Sequence, residues 1–212
     1  MKLGPGVECA EHVTRRIVLT GGPGAGKTAA LEIIRGMVCD HVMVLREAAG
    51  IVFGGGFPRD DRVEARRATQ RLIFHAQREL ETVADLDGHA IVLCDRGTVD
   101  GAAYWLGPGT LWEAVGTTIE RELARYATVI HLRTPLIGYA TTNPLRRETA
   151  AEAARIDERI TAAWAGHPRR FVVEATASFA EKAARTLEIV RGELPECCRT
   201  HAHVPAELVR AG

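Results

Sequence analysis

The feature that most constrains the fold of this chain is the octapeptide GGPGAGKT at residues 21–28. It matches G-x-x-x-x-G-K-[ST], the phosphate-binding P-loop, without a mismatch. A P-loop joins a strand to a helix, and the flanking sequence has both patterns. Residues 16–20 form a short apolar run typical of a strand, and residues 28–38 have a helical composition. The sequence therefore predicts nucleotide-phosphate binding at the edge of a sheet.

Each residue type in this motif has a physical reason to be there. Glycines let the backbone curl so that successive N–H groups converge on phosphate oxygens, and the start of the following helix adds its positive dipole end. A flexible glycine turn would require neither Lys27, expected to bridge the β- and γ-phosphates, nor Thr28, expected to bind Mg²⁺. The residues predicted to bind the nucleotide are Gly22, Pro23, Gly24, Ala25, Gly26, Lys27, Thr28 and Ala29.

Composition excludes several classes of partner. The 27 basic and 27 acidic residues cancel, so no overall field attracts nucleic acid or an anionic membrane. No apolar run approaches the length of a transmembrane helix. The five cysteines form no disulfide framework, which favours a reducing, cytoplasmic setting. The oligomeric state stays open.

The chain alternates strand and helix patterns, which predicts an α/β fold with a largely parallel sheet covered on both faces. We expect a leader at 1–15, one domain at 16–194 and a C-terminal tail at 195–212. Strands are predicted at 16–20, 41–46, 89–94, 127–132 and 170–174. Helices are predicted at 28–38, 62–84, 111–126, 148–164 and 178–190, with loops at 50–61 and 97–109. Residues 164–168 are expected to form a packing corner at a helix end.

Asp95 ends an apolar strand, in the Walker B pattern. Such a strand delivers a carboxylate to the carboxyl edge of the sheet, where it can hold Mg²⁺ or its water beside the P-loop. Thr28 and Asp95 are accordingly the predicted metal ligands. The alternative is an aspartate that caps the following turn.

Two further side chains are expected at this edge. Arg96 follows Asp95 directly, and its planar guanidinium suits an anionic phosphate. Glu47 ends the second strand, where its carboxylate could take a proton from an acceptor hydroxyl or bind a polar group of the substrate. The alternatives are a surface salt bridge for Arg96 and a helix-start role for Glu47.

The chain has a P-loop, a carboxylate after the second strand and Asp-Arg after the third. In this combination it resembles the nucleotide and nucleoside kinase branch of P-loop proteins, which includes deoxynucleoside kinases, thymidylate kinase and ribosylnicotinamide kinase domains. More closely, the chain resembles the AAA-domain "predicted ATPase" group within that branch. The resemblance covers about residues 16–190, and its motifs lie at 21–28, at 46–49, at 94–100 with Tyr104, and at 163–168.

The resemblance implies a P-loop NTPase three-layer sandwich with a five-stranded parallel sheet in the order 2-3-1-4-5 and a lid at about 134–165. It also implies Mg²⁺, ATP and phosphoryl transfer. Relatives linked to GTP and to lipids leave GTP and a non-kinase function open. Kinases of this branch place the acceptor near Asp100 and Tyr104, which are predicted to bind it; a helix cap explains Asp100 equally well.

Arginines after the fourth strand are candidates for the lid. Arg146 and Arg147 follow a turn-rich segment and are predicted to contact the transferred phosphoryl group. Either one satisfies the pattern. Glu152 and Asp157 could instead neutralise neighbouring arginines on the same helix. The arginines of this region are Arg133, Arg146, Arg147, Arg155 and Arg159.

The leading hypothesis is a Mg–ATP-dependent kinase of a small-molecule acceptor, with a nucleoside- or nucleotide-like compound as a candidate. Its alternative is a nucleotide-switched ATPase or GTPase that binds a protein or lipid partner; a third hypothesis keeps the fold without turnover. The chain lacks the Asn-Lys-x-Asp motif that reads guanine, so a small GTPase is not expected. After strand five we expect one helix and a tail, so an AAA+ machine with a helical lid domain is not expected either. Adjacent cysteines are a poor start for zinc, which argues against a metal site formed by Cys197, Cys198, His201 and His203.

Overall fold

The computed structural model describes residues 12–135, 149–175 and 178–199. Within these ranges one five-stranded sheet has all its strands parallel, in the order β2-β3-β1-β4-β5. The predicted fold class and strand order are therefore confirmed. The strands are β1 (Arg15–Thr20), β2 (Val42–Leu45), β3 (Ile91–Asp95), β4 (Thr128–Leu132) and β5 (Arg170–Val173).

Helical segments connect the strands and cover both faces of the sheet. A 3₁₀ segment, Thr98–Tyr104, follows β3 directly. The α-helices are α1 (Lys27–Arg35), α2 (Ala48–Gly54), α3 (Val63–Leu86), α4 (Leu111–Val115), α5 (Ile119–Leu123), α6 (Ala150–Ala163), α7 (Phe179–Glu193) and α8 (Glu196–Arg199). No helix in the described ranges has the length and apolar character needed to cross a lipid bilayer.

Alternation along the buried strands divides the core in two. In β1, Ile17 and Leu19 face a cluster that includes residues of α1 and α7, whereas Val18 faces a second cluster that includes Tyr126 and Trp164. A strand packed on both faces has no polar side, which explains why β1, β3 and β4 appear as nearly continuous apolar runs in the sequence. The carboxyl ends of these strands are thereby held at one edge.

The predicted packing corner is present at the end of α6. Trp164 is fully buried and meets Tyr126 edge-on, with ring centroids 5.4 Å apart. A Cβ at Gly97 would lie 3.0 Å from ring atoms of both, so glycine is the residue that lets the chain after β3 approach this corner. His167 completes it through a 2.8 Å hydrogen bond to the Tyr126 carbonyl.

Three local predictions were wrong. The loop expected at 50–61 begins inside α2, and the loop expected at 97–109 contains the 3₁₀ segment. The single helix expected at 111–126 is two short helices, α4 and α5, because Gly116 ends α4 in the left-handed conformation with φ +71°. In both α2 and α4 a glycine, Gly55 or Gly116, occupies the C-cap position and so marks the end of a helix.

The described ends of the chain pack against the sheet. β1 begins at Arg15, and the Arg15 guanidinium forms a 2.8 Å ion pair with Glu193 at the end of α7. Beyond residue 194 the chain continues as α8, which buries Cys198 against the first core cluster. The predicted domain boundaries remain predictions, because the outer residues of both segments lie outside the described ranges.

Candidate active site

The P-loop runs from the end of β1 into the first turn of α1. Gly21, Gly24 and Gly26 have positive φ values of 132°, 76° and 88°. At Gly21 a Cβ would lie 2.0 Å from the Leu132 carbonyl oxygen, so only glycine allows β1 to turn away beside β4. The loop therefore presents its amides at the amino end of α1, as anion binding requires.

Lys27 lies across the inside of this loop. Its Nζ donates to the carbonyl oxygens of Gly21 at 2.9 Å and Gly22 at 3.0 Å. Burial, reinforced by the positive charge of Arg96, lowers the pKa of Lys27 to about 8. The ammonium is thus poorly solvated, and a bound phosphate group would add to the negative charge that Asp95 supplies nearby.

Thr28 and Asp95 meet as the sequence predicted. The Thr28 hydroxyl donates to Asp95 Oδ2 at 3.0 Å, because β3 pairs with β1 in a register that sets Asp95 beside Leu19, next to the loop. Asp95 Oδ1 is buried and has no hydrogen-bond partner among the described residues. Burial raises the pKa of Asp95, although Lys27 opposes the shift. An unpartnered carboxylate oxygen beside a threonine hydroxyl fits Mg²⁺, a hard cation that prefers oxygen ligands.

Arg96 crosses the carboxyl edge of the sheet from a strained backbone position. It is a non-glycine residue in the left-handed region, with φ +72°, and its amide donates to the Leu19 carbonyl at 3.0 Å. Its guanidinium donates from Nε to Glu47 Oε1 at 2.7 Å and from Nη1 to Asp100 Oδ1 at 2.9 Å. Strain of this kind is found where a side chain must point in one direction for function.

Asp100 accepts a hydrogen bond from Arg96 and is itself fixed by several donors of the fold. Its carboxylate also accepts hydrogen bonds from the Thr20 hydroxyl at 2.5 Å, from the Gly97 amide at 3.1 Å and from Trp164 Nε1 at 3.1 Å. The side chain is buried, and both oxygens are engaged by protein donors. These contacts support a positioning role for Asp100. The hydrogen bond from the Gly97 amide is the helix-capping contact that the sequence offered as the alternative. Direct contact between Asp100 and an acceptor stays a prediction.

Glu47 and Tyr104 both contact Arg96, and both side chains are partly exposed. Glu47 occupies the N-cap position of α2, and 37% of its side chain is exposed even though it pairs with Arg96. The Tyr104 ring lies under the guanidinium, with its centroid 5.8 Å from Arg96 Cζ. The structure therefore brings a partly exposed carboxylate, an arginine and an aromatic ring together beside Asp95.

Sequence reasoning missed the contacts that hold the P-loop from the side. Asp157 of α6 accepts the Gly22 amide at 2.8 Å, shares a 2.9 Å hydrogen bond with His131 and forms a 2.9 Å ion pair with Arg133. Burial acts to raise the pKa of Asp157, but the bonds from His131 and Gly22 lower it overall. Asp157 thus pairs with residues outside α6, whereas the alternative considered in the sequence was that it neutralises arginines of its own helix. A histidine within an otherwise apolar strand was the available signal.

Lys182 of α7 was also missed. Its Nζ donates to the P-loop carbonyl of Ala25 at 3.0 Å and to the Arg133 carbonyl. Burial lowers the pKa of Lys182 to about 8. One turn earlier, the Phe179 ring closes on the loop so tightly that a Cβ at Gly26 would lie 2.8 Å from it. Helices α6 and α7 thus fix the two sides of the phosphate loop.

Two of the five candidate lid arginines have partners elsewhere in the fold. Arg159 donates to the Trp105 carbonyl at 2.9 Å, and Arg133 is engaged by Asp157. Arg146 and Arg147 lie outside the described residues, so their contact with the phosphoryl group remains a prediction.

The fold and the site together define a P-loop nucleotide-binding protein of the NTPase or kinase type. A family model described as an AAA domain matches residues 16–182, so the chain belongs to this AAA-domain family. The match begins within β1 and ends at Lys182, and it therefore includes all the side-chain contacts of the site described above. A search of curated proteins finds no match to the chain.

Proposed function

We propose that the protein is a Mg–ATP-dependent phosphotransferase that acts on a small-molecule acceptor. The observation that carries this proposal is the 2.7 Å contact between Arg96 and the partly exposed Glu47, beside Asp95. Hydrolysis alone needs only a positioned water. A carboxylate paired with an arginine at the metal edge supplies both a proton acceptor and a phosphate ligand.

The P-loop half of the site holds the nucleotide. Amides at the start of α1 and the Lys27 ammonium bind the β- and γ-phosphates. Magnesium held by Thr28 and Asp95 would neutralise the charge that develops on these phosphates. Lys182 and Asp157 keep the loop in the shape that directs its amides toward the ligand.

The Arg96 half of the site completes the transfer. The acceptor hydroxyl oxygen forms a bond to the γ-phosphorus while the bond to the β–γ bridging oxygen breaks, so ADP leaves. Glu47 takes the hydroxyl proton. Arg96 donates hydrogen bonds to the oxygens of the transferring group, where negative charge is spread in the transition state. Tyr104 bounds the acceptor, and Arg146 or Arg147 is proposed to approach from the lid.

An acceptor screen tests this proposal. Purified protein is incubated with Mg²⁺, γ-labelled ATP and pools of nucleosides, nucleotides and other hydroxylated metabolites. We expect one pool to yield a labelled product other than inorganic phosphate, and Lys27→Ala to abolish it. Failure of every pool, in a preparation that still binds ATP, would contradict the proposal. Competition between ATP and GTP in the same assay determines the preferred base.

A nucleotide-switched binding protein is the second candidate. The contact between Gly22 and Asp157 favours it, because α6 is hydrogen-bonded directly to the P-loop. Phosphate bound at the loop would therefore shift the position of α6. In that case nucleotide turnover would depend on a protein or lipid partner and would be indifferent to small acceptors. Stimulation of hydrolysis by a protein fraction or by vesicles, with no labelled metabolite formed, would favour this candidate.

A further inference from the structure

A second cluster of reactive side chains lies at the opposite edge of the sheet from the P-loop. His12 precedes β1, His41 directly precedes β2, and Cys198 lies on α8. One ligand atom from each of these three residues lies within 4.8 Å of those of the other two. The strands are parallel, so their amino ends bring the two histidines together, and the last described helix brings the cysteine to them.

The residues of this cluster are held by the surrounding backbone. The His41 carbonyl accepts the Ile91 amide at 3.2 Å, which fixes the start of β2 against β3. The rings of His12 and His41 meet edge-on at 5.6 Å between centroids. Cys198 is fully buried in the first core cluster, and its amide donates to the Pro195 carbonyl at 2.9 Å. The ligand atoms are therefore brought together by the fold.

The contact between Cys198 and His41 has the length expected between two ligands of a tetrahedral metal site. Cys198 Sγ lies 3.4 Å from His41 Nδ1. With Zn–S near 2.3 Å and Zn–N near 2.0–2.1 Å, tetrahedral angles place neighbouring ligand atoms about 3.3–3.8 Å apart. The observed distance lies in that range.

We propose that His12, His41 and Cys198 bind a zinc ion, with a water as the fourth ligand. Imidazole and thiolate ligands select zinc over Mg²⁺ or Ca²⁺, which prefer oxygen. Binding releases one proton from each thiol that coordinates. This site differs from the pattern considered in the sequence, because its ligands come from three distant segments and include only one of the two adjacent cysteines.

The position of the site indicates what the metal would do. It would join the segment before β1 and the segment after α7 to the start of β2, at the edge remote from the P-loop. A metal that binds the folded chain and not the unfolded chain stabilises the fold. Zinc at this site would therefore raise the melting temperature and leave nucleotide binding unchanged.

Metal analysis of the full chain tests the proposal. Protein purified with zinc and then dialysed is assayed by elemental analysis, and the cobalt-substituted protein is examined for sulfur-to-cobalt charge-transfer absorption. The variants are Cys198→Ser, His41→Ala and His12→Ala, with Cys94→Ser as a matched control because Cys94 is a buried free cysteine outside the cluster.

We expect about one zinc ion per chain in the wild type and in Cys94→Ser, as in a structural site. Each ligand variant should lose more affinity than the roughly 10–100-fold that removal of an outer-shell partner costs. His12→Ala keeps the test decisive if Cys198→Ser does not fold, because His12 is partly exposed. A wild type that retains no zinc and gives no cobalt–thiolate absorption would overturn the proposal. Equal zinc retention by His12→Ala and the wild type would overturn it as well.

Discussion

The two halves of the candidate active site are built in different ways. The nucleotide half is one continuous loop, residues 21–28, which acts largely through backbone amides and Lys27. The acceptor half is assembled from two separate segments: Glu47 follows β2, whereas Arg96 and Asp100 both follow β3. The first is therefore visible as a motif in the sequence, whereas the second depends on the register and order of the strands.

The halves also differ in how their charges are balanced. Burial lowers the pKa of Lys27 to about 8 and raises the pKa of Asp95, so each group in the nucleotide half is held at an energetic cost without its ligands. Arg96 already has Glu47 and Asp100 as partners. The nucleotide half is thus completed by binding, and the acceptor half is preorganised for chemistry.

Removing the lysine should have the largest effect on the nucleotide half. We expect Lys27→Ala to lower turnover of Mg–ATP by roughly 10³-fold, because one preorganised donor to a transferring group contributes on the order of 10²–10³. Calorimetry and a phosphate-release assay measure binding and turnover. The matched control is Arg35→Ala, an exposed cation on the same helix. Wild-type turnover in Lys27→Ala would refute the site assignment.

Asp95→Asn separates catalysis from stability within that same half. A carboxamide is a poor Mg²⁺ ligand, so we expect magnesium-dependent turnover to fall by roughly 10²–10³-fold. Because the folded protein raises the pKa of Asp95, folding disfavours the carboxylate at neutral pH, and the variant should melt at the same or a higher temperature. A lower melting temperature together with unchanged turnover would show that Asp95 is a structural residue.

Arg96 tests the acceptor half through both its side chain and its backbone. We expect Arg96→Ala and Arg96→Gly to lose turnover equally, by roughly 10²-fold, while both retain nucleotide binding. At φ +72° glycine avoids the Cβ strain, so the glycine variant should be more stable than the alanine variant by about 1 kcal/mol. Denaturant unfolding measures that difference. Loss of nucleotide binding in both variants would remove the distinction between the two halves.

Nucleotide affinity should depend on pH through Lys27. Its pKa of about 8 in the free protein means that the ammonium is largely lost above that pH, whereas bound phosphates favour the charged form. We expect affinity to be constant below pH 8 and to fall by up to about tenfold per pH unit above it. Titrations of wild type and Lys27→Arg, which keeps its charge, make the comparison; equal profiles would exclude Lys27 as the titrating group.

The smallest effect on turnover is expected from Trp164, which contacts the acceptor half through Asp100. Trp164→Phe removes the 3.1 Å hydrogen bond to Asp100 and keeps an aromatic ring against Tyr126. A buried carboxylate that loses one of several donors costs about 1–3 kcal/mol. We expect a lower melting temperature and a few-fold lower turnover with unchanged nucleotide affinity. Unchanged turnover would show that Asp100 holds Arg96 without help from the tryptophan.

The sequence predicted those parts of the structure that follow from a motif or an apolar run within one segment, together with the parallel order of the strands. The apolar runs of β1 and β3 locate Thr28 and Asp95 on one edge, and parallel topology adds Glu47 and Arg96. Contacts between distant segments were not predictable in this way. Asp157 and Gly22 are 135 residues apart, and nothing near Asp157 in the sequence marks the P-loop as its partner.

Local errors have a similarly specific cause. Residues 111–126 have a helical pattern throughout, and an isolated glycine is tolerated within a helix. The sequence therefore gives no sign that Gly116 adopts a left-handed backbone conformation and breaks the helix. The His12–His41–Cys198 cluster was invisible because its members are distributed over nearly the whole chain and meet only through the parallel strand order.

The most direct test of the proposed function is the transfer of γ-labelled phosphate in wild type and Glu47→Gln, measured with the same acceptor pools and the same Mg–ATP concentration. We expect a labelled metabolite from the wild type, its loss by roughly 10²–10⁴-fold in Glu47→Gln as for a general base, and equal ATP affinity in both proteins. Label that appears only as inorganic phosphate, at the same rate in both proteins, would contradict the assignment of Glu47 and the kinase function together.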